Sequence, residues 1–342
     1  MRELEVKIQE MLAREGIAGC AALLTDRGGI VWSRGFGTRD IACADAPVTA
    51  DSMFRIASIT KVVTGLLIMR LVEEGRIDLD RPVRDYLSWF TLKDESAASV
   101  ITLRHLMSHR SGLPAEYTPE GPLDEGELVP SLKAGLPTLD LVNAPNDGYK
   151  YSNWGIRTAS AVLEAVTGRR YSALAREYVL SPLGMDKSTF FLSEAQAYPI
   201  ALPHTKDESG ALLSSSYIKE NHARLAAGGI FSSARELSAL ARLILRGGVA
   251  DDGTRVVNSA SLEAMMTPLT VHDTGNMYGL TMQLHPLPSG RLTYGHYGNA
   301  DPYTSALMTD PVSGFGAVVL LNTYSKDLRA RIADAILEYV IK

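Results

Sequence analysis

Three short segments carry side chains whose types and spacing could support nucleophilic chemistry. The first is Ser58-Ile59-Thr60-Lys61, at the start of a predicted helix. A serine and a lysine three positions apart lie on one helix face, within reach of each other. A serine hydroxyl needs a base to take its proton, and a lysine can be that base when burial lowers its pKa. The segment therefore fits a nucleophile with its base, and also a serine helix cap beside a solvated lysine.

The same spacing occurs a second time, in Ser216-Tyr217-Ile218-Lys219. Motifs of four residues match by chance in many chains. No long amphipathic helix follows this second copy, so we interpret it as fortuitous. The choice of Ser58 as a nucleophile needs support from other segments.

The other two segments are Tyr151-Ser152-Asn153 and Gly295-His296-Tyr297-Gly298. In the first, a phenol near the serine could relay protons and the asparagine could bind a substrate amide, although such residues also form turns and caps. The second lies in a predicted strand, where glycine lets a ligand or another backbone approach closely. An edge strand there could offer a main-chain N–H to an oxyanion, and the alternative is a bulge with a half-buried histidine.

The elements that would position these segments are strands at both ends of the chain and helices between them. An amphipathic helix opens the chain, Asp26-Arg27-Gly28-Gly29 predicts a hairpin turn, and a long helix runs from about Ser58 to Glu74. Strand patterns return between residues 277 and 321, before a last helix. We predict an α+β fold, an α/β sandwich whose antiparallel sheet combines N- and C-terminal segments flanked by helices. Residues 1–80 and 225–342 would form this domain, residues 81–224 a mainly helical insertion, and the active site would lie between them.

Composition excludes several classes of protein. The 342 residues are 46% hydrophobic and 21% charged, with a net charge of −5, which suits a globular protein and disfavours nucleic-acid binding. The two cysteines, Cys20 and Cys43, form no metal-binding motif, and we expect neither a metal nor a cofactor. No apolar run reaches the length of a membrane span. The N-terminus lacks a secretory signal, so we expect a cytoplasmic protein, or a periplasmic or secreted one if a leader was removed.

Taken in order, the three segments resemble the motifs of the serine β-lactamase/penicillin-binding superfamily. That superfamily carries S-x-x-K, then Y-x-N, then a K-T-G or H-x-G strand. The similarity is to the branch of class C β-lactamases, DD-peptidases, D-aminopeptidases and esterases. Segments such as LMSHRSGLP, SPLGMDKSTF and AAGGIFSSARELSALARLIL extend it over nearly the whole chain.

The resemblance implies a role for each matching residue. Ser58 would be the acylated nucleophile, and Lys61 and Tyr151 would share its proton and pass one to the leaving group. Asn153 would bind the acyl side of the substrate and steady the lysine. The main-chain N–H groups of Ser58 and Asn299 would form the oxyanion hole.

Departures from the family pattern bear on the substrate. His296 stands where many relatives have a lysine and is mostly neutral at pH 7, which weakens the grip on a carboxylate. Tyr297 replaces a small residue and is expected to narrow the site beside Gly298, and the segment 299–303 replaces a glycine-rich stretch. We expect an esterase or amidase acting on a small-molecule ester, amide or peptide, with weak or no β-lactamase activity. The alternatives are an acyltransferase and a penicillin- or cell-wall-peptide-binding protein without turnover.

Overall fold

The structure, a computed structural model, describes residues 1–43, 45–116, 120–271 and 276–341. The α-helices are α1 Arg2–Arg14, α2 Thr60–Glu73, α3 Glu95–Val100, α4 Leu103–Met107, α5 Leu128–Gly135, α6 Asn153–Thr167, α7 Tyr171–Ala175, α8 Leu192–Ala195, α9 Leu225–Gly228, α10 Ala234–Leu245, α11 Ser259–Met266 and α12 Lys326–Ile341. The strands are β1 Gly19–Asp26, β2 Ile30–Gly37, β3 Phe54–Arg55, β4 His204–Lys206, β5 Leu212–Ser214, β6 Phe231–Ser232, β7 Thr270–Val271, β8 Met277–Tyr278, β9 Gln283–Pro286, β10 Leu292–Ala300, β11 Tyr303–Asp310 and β12 Phe315–Leu321.

One antiparallel sheet joins the two ends of the chain. Its eight strands lie in the order β2-β1-β12-β11-β10-β9-β8-β7, so N-terminal β1 pairs with C-terminal β12. The predicted hairpin connects β1 to β2, and the Asp26 carboxylate accepts from the N–H groups of Gly28 and Gly29. The predicted fold class is confirmed: an antiparallel sheet combines segments from both ends of the chain and is flanked by helices.

Helices cover both faces of this sheet. In β1 the alternating residues Cys20, Ala22 and Leu24 join a core with α1 and α12, while Ala21 and Leu23 join the larger core on the other face. Successive side chains of a strand point to opposite faces, which explains why β1 is apolar without interruption from Cys20 to Leu24. The sheet is thus the middle layer of a sandwich, with α2 and α10 on the face opposite α1 and α12.

Helices dominate the region between the two groups of sheet strands. Side chains from that region, such as Leu106 and Ile156, share the larger core with Leu67 of α2 and Leu240 of α10. The boundaries 1–80, 81–224 and 225–342 stay a prediction. Over the described ranges, each helix falls short of the length or apolar content that crossing a bilayer requires.

Candidate active site

Ser58 lies in a tight turn between strand β3 and helix α2. Residues Ala57–Ile59 form a turn of 3-10 helix that leads directly into α2, and Ala57 has φ of 50°, the left-handed region that a residue with a Cβ rarely adopts. Two hydrogen bonds hold this turn: the Thr60 hydroxyl donates to the Ala57 carbonyl at 2.7 Å, and the Ser305 hydroxyl donates to the Ile56 carbonyl at 2.7 Å. The strained backbone presents the half-buried Ser58 hydroxyl at the N-terminal end of the helix.

Lys61 is fully buried one helical turn after Ser58. Its Nζ lies 3.0 Å from Ser58 Oγ and donates to the main-chain carbonyl of Ala227 at 2.6 Å. Burial holds the pKa of this amine well below its ordinary value, the positive charge of Arg224 lowers it further, and the carboxylate of Glu116 opposes the shift. A neutral amine keeps a lone pair that can accept the serine proton.

Tyr151 approaches the nucleophile from the other side. Its hydroxyl donates to Ser58 Oγ at 2.9 Å, and Lys61 Nζ lies 4.9 Å from the centre of its ring. Burial raises the pKa of the phenol, and the hydrogen bond to Ser58 only partly opposes that shift. The structure therefore brings the three predicted catalytic side chains together. The pKa of the amine is lowered and the pKa of the phenol is raised.

Asn153 is the first residue of α6. Ser152 caps the N-terminus of this helix, and its hydroxyl accepts a hydrogen bond from the N–H of Gly155. The Asn153 side-chain amide donates to the main-chain carbonyl of Glu116 at 2.9 Å. Its Oδ1 is buried and accepts no hydrogen bond within the described ranges of the chain. Asn153 lines the cavity at Ser58, so a substrate N–H could satisfy this oxygen.

His296 belongs to an ordered chain of hydrogen bonds behind Tyr151. The N–H of Ser152 donates to His109 Nδ1 at 3.2 Å, so the proton of a neutral His109 is on Nε2, 3.2 Å from the Tyr278 hydroxyl. The Tyr278 hydroxyl lies 3.0 Å from His296 Nε2, and His296 Nδ1 lies 2.5 Å from the Tyr297 carbonyl. A carbonyl can only accept, so His296 carries its proton on Nδ1 and accepts from Tyr278 on Nε2.

Both ring nitrogens of His296 are thus engaged by protein groups. Burial lowers its pKa to about 3, and protonation of the nearby Lys61 would act in the same direction. The imidazole is uncharged at neutral pH and supplies no fixed positive charge to a substrate carboxylate. The predicted substrate-binding role of His296 remains a prediction, and its geometry suits a group that supports the wall behind Tyr151.

Tyr297 is oriented differently from the prediction. Its ring lies 5.0 Å from the Arg329 guanidinium and 5.6 Å from the ring of His285, and it packs against the core on the α1 and α12 face of the sheet. His296 and Tyr297 are consecutive in β10, so their side chains point to opposite faces. The expectation that the Tyr297 side chain narrows the site is wrong.

Gly298 marks the closest approach of β10 to the serine turn. A Cβ on this residue would lie 2.3 Å from the Ile56 carbonyl oxygen and 2.2 Å from Ser305 Oγ. Strand β9 pairs with β10 only as far as Gly295, so the end of β10 faces the turn. Glycine is required here because the main chain of β10 packs directly on the segment that precedes Ser58.

Substituting Gly298 with alanine is expected to lower kcat/KM about 100-fold, because the added methyl displaces the serine turn from its partners. Hydrolysis of a 4-nitrophenyl ester measures the effect. Gly29→Ala is the matched control, since nothing lies within 4 Å of a Cβ at that position. Unchanged activity in Gly298→Ala would show that the strand and the turn are not coupled as the structure indicates.

A narrow cavity of about 70 Å³ opens onto the nucleophile. Its lining includes Ser58, Asn153, Arg224, Gly228, Asn299 and Asp301. A larger cavity of about 460 Å³ adjoins it at Asn299 and Asp301, without containing Ser58. Ser58 and Asn299, the residues predicted to form the oxyanion hole, therefore both line the narrow cavity.

Sequence reasoning missed a charged cluster beside the nucleophile. Arg157 and Glu116 form a buried ion pair, and Arg224 Nε lies 3.6 Å from the second carboxylate oxygen of Glu116. None of the three is itself a motif residue, and they are brought together by the packing of α6 against the segment before α9. The second S-x-x-K copy is outside any helix, with Ser216 exposed, in agreement with its interpretation as fortuitous.

Replacing Arg224 with glutamine is expected to move the acidic limb of the kcat/KM profile to higher pH. The wild-type guanidinium disfavours the protonated form of Lys61, so its removal raises the pKa of Lys61, and a higher pH is then needed to free the amine. A pH series with a neutral ester measures the limb. Arg81→Gln is the control, because Arg81 is more than half exposed and pairs with Asp85. A limb that stays in place would contradict this electrostatic coupling.

Comparisons with known proteins agree with this arrangement. The sequence profile of the family described as Beta-lactamase matches residues 4–341. Penicillin-binding protein 4 of Amycolatopsis lactamdurans is 30% identical over 285 residues, covering 80% of this chain and 73% of that protein. Esterase EstB of Burkholderia gladioli is 29% identical over 212 residues, covering 58% of this chain and 53% of the esterase.

A solved structure matches almost the whole chain. The octameric penicillin-binding protein homologue from Pyrococcus abyssi superposes with a TM-score of 0.87 and 26% identity, covering 99% of this chain and 77% of that one. The sequence profile and the fold match over almost every residue, and the lysine and the tyrosine meet at the hydroxyl of the serine. The chain belongs to the beta-lactamase family.

Proposed function

We propose that this protein is a serine hydrolase that cleaves esters or amides through an acyl-enzyme at Ser58. The observation that carries the proposal is the convergence of Lys61 and Tyr151 on the Ser58 hydroxyl, at 3.0 and 2.9 Å. A hydroxyl flanked by a buried amine and a phenol fits the requirements of an activated nucleophile. Relatives in the family include a protein named as an esterase.

The opposite pKa shifts support distinct roles for the two partners. Neutral Lys61 takes the Ser58 proton as Oγ attacks the substrate carbonyl, and the carbon–oxygen bond of the tetrahedral intermediate forms. Tyr151 stays a neutral phenol that donates to Ser58 Oγ. When the intermediate collapses, the bond to the leaving group breaks and the leaving group takes a proton from the Lys61–Tyr151 pair. Water then attacks the carbonyl carbon of the acyl-enzyme and gives a proton to the same pair. As this second intermediate collapses, the bond between the acyl carbon and Ser58 Oγ breaks, Oγ takes that proton back from the pair, and the acid is released.

The oxyanion of the intermediate would be held by the main-chain N–H groups of Ser58 and Asn299. Both residues line the cavity, on the serine turn and at the end of β10 respectively. Fixed donors of this type supply about 3 kcal/mol each to the transition state. Asn153 Oδ1 suits a substrate N–H on the acyl side.

The wall formed by His296 favours esters and amides over β-lactams. A β-lactam carries a carboxylate, and an uncharged imidazole with both nitrogens engaged offers it no ion pair. We therefore expect weak or no β-lactamase activity from this site.

A substrate panel tests the proposal. It compares short-chain 4-nitrophenyl esters, D-amino-acid amides, a D-Ala-D-Ala peptide and a chromogenic cephalosporin. We expect steady release of nitrophenol and little cephalosporin turnover. Acylation without release would favour a binding protein, and product appearing on an added alcohol or amine would favour acyl transfer. Efficient cephalosporin hydrolysis would overturn the proposed substrate class.

A further inference from the structure

Tyr278 is a buried tyrosine near the nucleophile that the proposed reaction does not use. It comes from strand β8, is fully buried, and belongs to none of the three motif segments. Its hydroxyl lies 3.2 Å from His109 Nε2 and 3.0 Å from His296 Nε2. A buried hydroxyl costs free energy unless it is hydrogen-bonded, and this one connects two histidines from distant segments of the chain.

The two ends of this hydrogen-bond chain leave one arrangement of its protons. The Ser152 N–H can only donate, to His109 Nδ1, and the Tyr297 carbonyl can only accept, from His296 Nδ1. Both histidines are then neutral, and the Tyr278 hydroxyl accepts from the first and donates to the second. An extra proton on either ring would leave one donor of the chain without an acceptor in it. The geometry of the chain therefore fixes its direction.

The ring of Tyr151 lies against this chain. Its centre is 4.2 Å from the ring centre of His109, 6.3 Å from that of His296 and 6.4 Å from that of Tyr278. The chain begins at the main chain next to Tyr151 and ends at the main chain next to Gly298, where β10 packs on the serine turn. It therefore links the segment that carries the phenol to the strand that supports the nucleophile.

The segments that hold Tyr278 in place have a strained backbone. His109 and Thr281 have φ of 57° and 58°, in the left-handed region that a residue with a Cβ rarely adopts. The Thr281 N–H donates to the Met107 carbonyl at 2.8 Å, which ties the turn after β8 to the segment before His109. A Cβ on Gly65 would lie 1.9 Å from Thr281 Oγ1, so the same turn packs directly on α2. Strain of this kind persists only where packing maintains it, and it concentrates at functional sites.

From these contacts we infer that Tyr278 is a positioning residue whose hydroxyl holds the Tyr151 phenol at Ser58. The inference rests on the proposed function and adds to it a residue that acts through Tyr151. Without the Tyr278 hydroxyl, His109 loses an acceptor, His296 loses a donor, and the two segments are no longer linked. The Tyr151 ring is then free to leave the position from which its hydroxyl reaches Ser58 Oγ, and small displacements of a reacting group reduce catalysis strongly.

Replacing Tyr278 with phenylalanine keeps the ring and removes only the hydroxyl. We expect kcat for a 4-nitrophenyl ester to fall roughly tenfold, with KM within about twofold of the wild-type value, because the substrate contacts stay in place. Tyr86→Phe is the matched control. The Tyr86 hydroxyl also accepts one hydrogen bond and donates one, both with main-chain atoms of Asp78 in the connection between α2 and α3. This control should keep wild-type kinetics.

A double variant separates positioning from a general loss of structure. Where Tyr151→Phe has already removed the phenol, Tyr278→Phe should lower kcat by no more than about twofold. A merely structural effect would lower kcat by the same factor in both backgrounds. An equal loss in both backgrounds, or no loss from Tyr278→Phe alone, overturns the inference.

NMR with isotope-labelled histidine tests the chain itself and needs no turnover. At neutral pH the proton of His296 should be on Nδ1 and that of His109 on Nε2. The His296 Nε2 signal should shift in Tyr278→Phe, since this nitrogen loses its donor. A charged His296, or its opposite tautomer, overturns the inference.

Labelling of Ser58 by a fluorophosphonate distinguishes failure of the inference from failure of the proposed hydrolysis. Tyr278→Phe should slow this labelling roughly tenfold, and by no more than about twofold in the Tyr151→Phe background. If labelling follows this pattern while no ester turns over, the proposed hydrolysis fails and the positioning role stands. Labelling that Tyr278→Phe leaves unchanged overturns the inference.

Discussion

Replacing Ser58 with alanine is expected to lower ester hydrolysis roughly 10⁴-fold or more, because the acyl-enzyme can no longer form. The Oγ atom is the meeting point of the Lys61 and Tyr151 contacts, and the methyl group of alanine accepts or donates no hydrogen bond. The strained turn stays, since φ at Ala57 is set by the backbone around it. Steady-state hydrolysis of a 4-nitrophenyl ester measures the loss, and intact mass after a fluorophosphonate measures the covalent adduct.

The chain supplies a matched control in its second S-x-x-K copy. Ser216 is exposed and outside any helix, so Ser216→Ala should keep both full activity and the single adduct. An adduct that persists in Ser58→Ala, or that disappears in Ser216→Ala, would place the nucleophile elsewhere. Thermal melting of both variants excludes a general loss of fold as the cause.

The sequence was sufficient to predict the local elements, whereas contacts between distant segments needed other signals. Local patterns were sufficient for α1, the β1–β2 hairpin and α2, because apolar spacing and turn residues determine such elements directly. The joining of N- and C-terminal strands in one sheet was predicted from strand patterns at both ends of the chain, although no local signal pairs Cys20 with Leu321, about 300 residues away. The family resemblance predicted that Tyr151 reaches Ser58.

Resemblance failed where the side-chain environment is particular to this chain. It placed Tyr297 in the site, whereas strand alternation from His296 puts the ring on the other face. It gave no hint of the chain from His109 through Tyr278 to His296, since each partner comes from a different segment. Arg224 belongs to no motif, and its effect on Lys61 depends on packing that only three-dimensional structure reveals. The electrostatic environment of the nucleophile therefore depends on residues about which the sequence alone said least.

Converting Lys61 to arginine is the sharpest test of which group takes the proton. Arginine carries a positive charge and stays protonated at any accessible pH, so it cannot act as a base. The environment lowers the pKa of the Lys61 amine and raises that of the Tyr151 phenol, which favours the lysine as the proton acceptor. We expect about a 10³-fold loss in kcat/KM at neutral pH, measured with the same ester.

Lys219→Arg is the matched control, since Lys219 is partly exposed, pairs with Glu120 at 3.7 Å and belongs to the fortuitous copy of the motif. It should retain wild-type activity. Tyr151→Phe should lose less than Lys61→Arg, because it removes a donor to Ser58 but leaves the neutral amine in place. If Lys61→Arg instead kept most of the activity while Tyr151→Phe abolished it, the phenol would be the base. The opposite pKa shifts of Lys61 and Tyr151 would then hold for the free protein and not for the protein with substrate bound.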